Sequence, residues 1–489
     1  MIAHQVHDPL LSQYTYMVAT EGHAEAIIVD PACDIDRYIN VADQHGLTIV
    51  AAFETHLHAD FLSGLRAFAE ANVPVYVSDA GAPGVRYDWL LGTSHPYHLL
   101  RDGDTVSVAG LTIEALHTPS HTPEHLSYVL CPGDTCLPSA VLTGDFLFVG
   151  GMGRPMNGDA TQTPDASPTS PDPSSGSPPP TTPPGIDAAS NAFGATTGDA
   201  LRRFCQLPPS AQVWPLHGVR TLCGYAPSAR SLSTVGQECL TNPLLGAAQA
   251  GDTPEHAFQI EYPVPPAYFK RVRRRNRVDP PQQCPPQSPA WITPEQLERA
   301  MHQGAFLVDT TSSVPAFAKN HVHGALHVPS GDDFLFLAGA FLPPDAPVYL
   351  VLDQERDNGE HANALLQALS RIGLANVEGL FPRRLLQHET AIAQTKLSTI
   401  RSAYLPTLAQ HPSVMILDVR MPEAYTRHHV PGAVNMPYSQ LPDARSALPQ
   451  EAVLVIVGDT PHHASAAASY LQHNGYNVGC AFRRVPVPH

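Results

Sequence analysis

Short apolar runs recur along the N-terminal half of the chain, and most end abruptly in polar or glycine-rich letters. The stretches at 24–31 (AEAIIVDP), 47–56 (LTIVAAFETH) and 73–78 (VPVYVS) have the length and composition of buried strands. Between them, 63–71 (SGLRAFAEA) has helical spacing, with Ser63 standing where an N-cap belongs. Two further runs, LTIEALHTPSHT and AVLTGDFLFVGG, each pass from an apolar strand into a loop. Strands alternating with helices predict an α/β fold, and loops leaving strand ends are where such folds place their chemistry.

The C-terminal half repeats itself. AFLVDTTSSVPAFAKNHVHGALHVPS (305–330) and VMILDVRMPEAYTRHHVPGAVNMPYS (414–439) each hold a strand ending in an aspartate, Asp309 or Asp418. A helical turn with an aromatic follows, then His-x-x-Gly-Ala and a proline. Each copy continues into a second strand, VYLVLD (348–353) or VLVIVGD (453–459), and a helix. Two α/β units are expected, at 290–388 and 395–489.

Proline divides the chain further. The segment 157–192 is so poor in apolar side chains that it cannot offset its ordering entropy, and it is expected to be a disordered insertion within a unit spanning 1–250. The stretch 251–289 is expected to be a linker, and KRVRRRNR at 270–277 reads as a solvated basic connector, with anion binding as the alternative. A net charge of -17 argues against nucleic acid or an anionic membrane as partner. No apolar run approaches the ~20 residues of a membrane span, and the N-terminus shows no basic segment followed by an apolar core. The eight cysteines form no CxxC pair. A reduced chain of the cytoplasm is the expectation.

Four clusters carry candidate ligands: THLHAD (His56, His58, Asp60), HTPSHTPEH (His117, His121, His125), TGDFLFVGG (Asp145) and WPLHGVRTLCG (His217). A lone histidine is ordinarily a packing residue. Four His/Asp clusters, all at strand ends, point instead to a metal site, since imidazole and carboxylate suit Zn, Fe, Mn or Ni. Phe61, directly after Asp60, cannot ligate.

These motifs, in this order, resemble the metallo-β-lactamase superfamily, whose core is an αββα sandwich with ligands on loops at one edge. In detail they are similar to its persulfide dioxygenase branch. THLHADFLSG is like T-H-x-H-A-D-H-x-S-G, HTPSHTPEH like H-T-P-G-H-T-P-G, TGDFLFVGGMGRP like T-G-D-x-L-F-I-G-x-x-G-R, and WPLHGVRTLCG like P-x-H-G-x-x-S-x-C-G. The match continues beyond 157–192, which marks that segment as an insertion. The resemblance implies one Fe(II) per chain held by His56, His121 and Asp145, with zinc as the alternative metal. It makes His58, Asp60 and His217 orienting residues for ligands and bound water, and Arg154 a contact for the substrate carboxylate. Phe61 stands where binuclear relatives have a histidine, so the second metal site is expected to be empty or very weak. Ser120, Glu124 and Met156 depart from the branch pattern.

The implied activity is oxidation by O2 of a small thiol persulfide, glutathione-type, to sulfite and thiol. The C-terminal repeats resemble rhodanese domains, the second more closely. A working rhodanese carries sulfur on a loop cysteine, and neither LDQERDNGEH nor VGDTPHHA has one. The resemblance thus implies two catalytically silent domains, with packing, formation of a homo-oligomer or capture of a sulfur-carrying partner as open roles. Cys480, beyond the second loop, reads as a buried structural thiol. Two other readings stand beside this one: a zinc-dependent, glyoxalase II-like thioester hydrolase, and a non-catalytic sulfur-binding scaffold.

Overall fold

The protein is described by a computed structural model at residues 1–81, 85–133, 137–156, 197–250, 265–278, 280, 284, 288–353, 359–387 and 392–482. Two six-stranded sheets form its N-terminal body. The first runs in chain order through Ile2–Asp8, Gln13–Ala19, Glu25–Val29, Thr48–Phe53, Val75–Ser78 and Tyr97–Leu100. Its early strands pair antiparallel and its later ones parallel. The second is ordered Ser233–Thr234, Gln212–Pro215, Ala140–Gly144, Leu126–Pro132, Leu111–His117 and Thr105–Val108.

Alternation along Gln13–Ala19 shows how the layers form, because successive side chains of a strand face opposite sides. Tyr16 and Val18 enter the core shared by the two sheets, with Ile27 and Phe53 opposite Ile113, Tyr128 and Leu142. Met17 and Ala19 enter the core beneath helices Asp36–Gln44 and Leu65–Glu70. Helices packed by Phe204, Val235 and Leu245 cover the far face of the second sheet. The result is the expected αββα sandwich. Ser63 is one residue short of its expected place. Gly64 occupies the N-cap, and the Ser63 hydroxyl accepts from the Leu65 amide at 3.1 Å.

The segment 157–192 lies outside the described residues. On either side of it, Ala140–Gly144 and Gln212–Pro215 are parallel neighbours in one sheet. Two all-parallel, five-stranded sheets make up the C-terminal half, and their strand orders correspond. Asp309 and Asp418 end equivalent strands, as the repeat predicts.

The linker expectation for 251–289 needs correction, because Tyr268–Val278 is a helix. Tyr268, Phe269 and Val272 are buried in a core that also holds Phe61, Leu62, Phe334, Leu352 and Leu454, so it joins all three units. Gly339 lets this happen, since any Cβ there would collide with the Tyr268 ring. Nor is the basic run a solvated connector. The arginines ride on a helix whose Asn276 is buried and grips the loop at 58–63. Its Nδ2 donates to the carbonyls of His58 (2.9 Å) and Phe61 (2.8 Å), and its Oδ1 accepts from the Ser63 amide (3.0 Å). Composition hid this, because one apolar stripe and one asparagine decide the helix's place among many charges.

A second clamp ties the sandwich to the first C-terminal unit. Arg371 binds Asp8 at 2.6 Å and Asp34 at 2.5 Å, and its carbonyl accepts from the Leu62 amide at 2.7 Å.

The expectation of a wholly reduced chain is also corrected. Cys33 is bonded to Cys284 and Cys205 to Cys239, across 251 and 34 residues, separations that no short spacing motif can reveal. That removes the cysteine argument for a reducing compartment. Cys480 is buried on its strand, as expected. No described helix is long and apolar enough to cross a membrane.

Two predictions follow from the clamps. Asn276→Ala leaves two carbonyls and an amide without their partner, at about 1–3 kcal/mol for each group left unsatisfied. Hydrogen exchange should show 58–63 losing protection before the sheets do. The second concerns acid. Burial disfavours the Asp8 charge, but Arg371 and Arg37 outweigh it and hold its carboxyl below the ordinary value. A lowered folded-state pKa contributes stability above the unfolded value and loses it as pH falls through the folded value. Protection of the Leu62 amide should therefore hold from neutrality to about pH 5 and decline below the usual carboxylate range. Arg371→Met should abolish that dependence.

Candidate metal centre

Three buried atoms from three strand-end loops face one another: Nε2 of His56, Nε2 of His121 and Oδ2 of Asp145. The carboxylate oxygen lies 3.9 Å from the first and 3.5 Å from the second. None of the three has a hydrogen-bond partner among the described residues. Their chemistry follows from what holds the other side of each group. His121 Nδ1 lies 2.7 Å from the Arg154 carbonyl, which can only accept, so the proton is on Nδ1 and Nε2 carries a bare lone pair. The Thr55 hydroxyl donates to Asp30 and therefore accepts from His56 Nδ1 at 3.0 Å, which bares His56 Nε2. Asp145 Oδ1 is taken by His217 Nδ1 at 2.7 Å, leaving Oδ2.

Protonation is not the remedy for this crowd of acceptors. Burial, then the neighbouring imidazoles, push His56 well below its ordinary pKa. Burial takes His121 down to about 4 despite Asp145. Two neutral imidazoles and a carboxylate with no donor between them fit a cation. Ligands sharing one ion at ~2.1 Å stand about 3–4 Å apart, as the Asp145 carboxylate does from each imidazole.

The surrounding residues divide by role. Asp30, in left-handed backbone at φ 54°, accepts from the Thr55 amide (2.7 Å) and hydroxyl and lies 3.2 Å from His58 Nε2. It is the post on which the first motif hangs, and Asp is one of few residues that tolerate this conformation. His58 turns away from the donor set toward Asp30 and Glu54, with Phe61 stacked on it at 4.3 Å. Burial opposes its charge, but Glu54 and Asp30 prevail and raise it to about 9. His217 donates from both ring nitrogens, to Asp145 and, at 2.9 Å, to Asp60. Burial again works against the charge, and the two carboxylates carry it to about 10.

Asp60 and His217 also converge with Cys223 as a second group able to hold a metal. Cys223 stands in the WPLHGVRTLCG motif but is not among the candidate ligands read from the sequence. His125, one of the candidate ligands, stands behind the donor set, where its Nε2 accepts from the Asp145 amide at 3.1 Å and so orients that loop. His117 bonds the Pro123 carbonyl instead of joining the centre. Glu124, a departure from the branch pattern, accepts from the Leu57 amide at 3.1 Å and locks the two histidine loops together. Gly153 is required by contact, since any Cβ would strike the Asp145 carbonyl.

Comparison with known proteins bears on these loops. The sequence model of the metallo-beta-lactamase superfamily matches residues 8–180, and that of the rhodanese-like domain matches residues 403–481. The chain carries a metallo-beta-lactamase superfamily domain and a rhodanese-like domain. A hydroxyacylglutathione hydrolase of Crocosphaera subtropica is 32% identical over 160 residues, which are 32% of this chain and 58% of that protein. The chain thus spans little more than half the length of such curated relatives. A crystal structure of a metallo-beta-lactamase from Staphylococcus aureus subsp. aureus COL covers 78% of this chain and 99% of its own, at 27% identity and a TM-score of 0.62. ETHE1 from Myxococcus xanthus covers 53% of this chain and 89% of its own, at 26% identity and a TM-score of 0.37.

In the superfamily domain the donor set sits at the sheet edge from which its loops emerge. The rhodanese-like domain presents VGDTPHHA ahead of helix Pro461–His473, with Thr460 as N-cap and Gly458 and Asp459 in the loop. The first repeat has the same strand order, and part of its LDQERDNGEH loop lies outside the described residues.

Metal content provides the test. His56→Ala, His121→Ala and Asp145→Ala should each lower bound metal at least tenfold by elemental analysis. Cys223→Ser should leave it near one ion per chain, because Cys223 is not one of those three donors.

Proposed function

We propose that the chain is an iron-dependent persulfide dioxygenase acting on a glutathione-type persulfide. The carrying observation is the set of three bare lone pairs on His56, His121 and Asp145. Two histidines and one carboxylate on one side of an ion leave positions open, the arrangement suited to Fe(II) and O2. The motif likeness to the persulfide dioxygenase branch supports it. In balance, R-S-SH, O2 and water become R-SH, sulfite and two protons. Bound Fe(II) supplies the route by which electrons pass from the terminal sulfur to O2.

The chain's own residues do the rest. His56 and His121 are fixed in one tautomer each by Thr55 and Arg154. The Asp60–His217–Asp145 chain places an imidazolium beside the ligand carboxylate and moderates its charge. Burial of every donor keeps bulk water from the sulfur being oxidised. Arg154 lines the adjoining cavity, where its guanidinium attracts an anionic substrate. With no cysteine in VGDTPHHA and none in LDQERDNGEH, the C-terminal units contribute no sulfur transfer of their own.

One observation favours a second reading, zinc-dependent hydrolysis of a glutathione thioester: curated relatives at 32–33% identity include hydroxyacylglutathione hydrolases. Against it, a nucleophile bridging two metals needs a full second ligand set, and Phe61, beside Asp60, cannot ligate.

Protein purified without oxygen should contain about one iron per chain and consume O2 with glutathione persulfide, and the uptake should vanish in His121→Ala. Zinc alone, no uptake after Fe(II) loading and turnover of a glutathione thioester would favour the hydrolase.

A further inference from the structure

A cavity of about 480 Å³ opens where three units meet. Arg154 and Met156 contribute from the sandwich, Lys270 and Arg273 from the connecting helix, and Ser439, Gln440 and Asp443 from the second C-terminal unit. We propose that this cavity binds the thiol carrier of the substrate, with Lys270 and Arg273 holding its carboxylates and Asp443 its ammonium group. The rhodanese-like unit is then a wall of the substrate site rather than a spent catalyst. The inference rests on the reading of the substrate as a glutathione-type thiol, which the dioxygenase and hydrolase readings share.

Position is the first argument. The wall at Arg154 is one hydrogen bond from the metal donor set, through its carbonyl to His121 Nδ1, and the Met156 amide donates back to the His121 carbonyl at 2.7 Å. A carrier held here lies against the 154–156 segment that braces His121, on the Nδ1 side of its ring.

Charge is the second. Three cations and one carboxylate line the cavity. A thiol peptide with two carboxylates and one ammonium complements that set. Its volume also lies within the roughly 300–1,000 Å³ usual for small-ligand sites.

Unmet hydrogen bonding is the third. Ser439 is 2% exposed, and its Oγ has no partner among the described residues. Arg273 Nη2 is likewise buried without one. Buried polar atoms in native proteins nearly always have partners, so two orphans lining one cavity point to a polar occupant.

The test is calorimetric titration of S-methylglutathione, which carries no oxidisable persulfide, into the full-length protein. Binding should weaken at least tenfold in Arg273→Ala, Lys270→Ala and Asp443→Lys. It should weaken as much when the wild-type protein is given the diethyl ester of the same ligand, a comparison that needs no variant to fold. Arg273→Lys should restore part of the loss. No binding to the wild-type protein, or affinities within twofold across the variants and the ester, would overturn the assignment.

Oxygen uptake separates this inference from the reaction. The expected binding pattern without uptake would keep the cavity and remove the dioxygenase. Uptake of glutathione persulfide with one KM across all three variants would remove the cavity assignment alone.

Discussion

Everything at the centre depends on keeping two imidazoles in a single tautomer while denying their free nitrogens a donor. A buried acceptor without a partner is costly, and here three of them converge. The fold imposes this from behind. Asp30 takes the Thr55 hydroxyl proton, Thr55 then takes the His56 proton, and the Arg154 carbonyl takes that of His121. Each step lies at the end of a strand or in the loop that leaves it, so sheet geometry is converted directly into the direction of a lone pair. A cation returns that stored cost as binding energy.

The same loops are braced from outside the sandwich. Asn276 holds the carbonyls of His58 and Phe61, Arg371 holds the Leu62 amide, and Phe61 and Leu62 lie in the core shared with the C-terminal units. Phenylalanine at 61 therefore has a positive reason. A residue facing both the His58 ring and a three-unit core is best filled by an aromatic, and a ligating histidine there would bury a polar ring among Tyr268, Phe269 and their neighbours. Phe61 thus fills a place in the inter-unit core and offers no ligand there.

Periodic features were the legible ones in the sequence. Apolar strands, the repeat ending in Asp309 and Asp418, and the clusters carrying His56, His121 and Asp145 all show local patterns. What escaped was set by contacts between distant residues. The helix Tyr268–Val278 is disguised by its arginines, and its anchoring asparagine meets residues more than 200 positions away. The Cys33–Cys284 bond and the Arg371 clamp are equally remote. His58 is the instructive case at the centre. The family resemblance places it outside the ligand set, and the contact that turns it away, to Asp30 at 28 positions' separation, shows in no local pattern.

That displacement bears on how many metals the site admits. With His58 charged between Asp30 and Glu54, and His217 charged between Asp60 and Asp145, each imidazolium stands against two carboxylates. A divalent ion at His56, His121 and Asp145 adds positive charge to one end of this array. A second ion at Asp60, His217 and Cys223 would have to expel the His217 proton and ionise a thiol that burial, together with Asp60 and Asp145, drives well above its ordinary pKa. It would also sit beside the first ion, in a medium where like charges repel far more than in water. His217 and Cys223 thus each carry a proton that a second ion would have to displace.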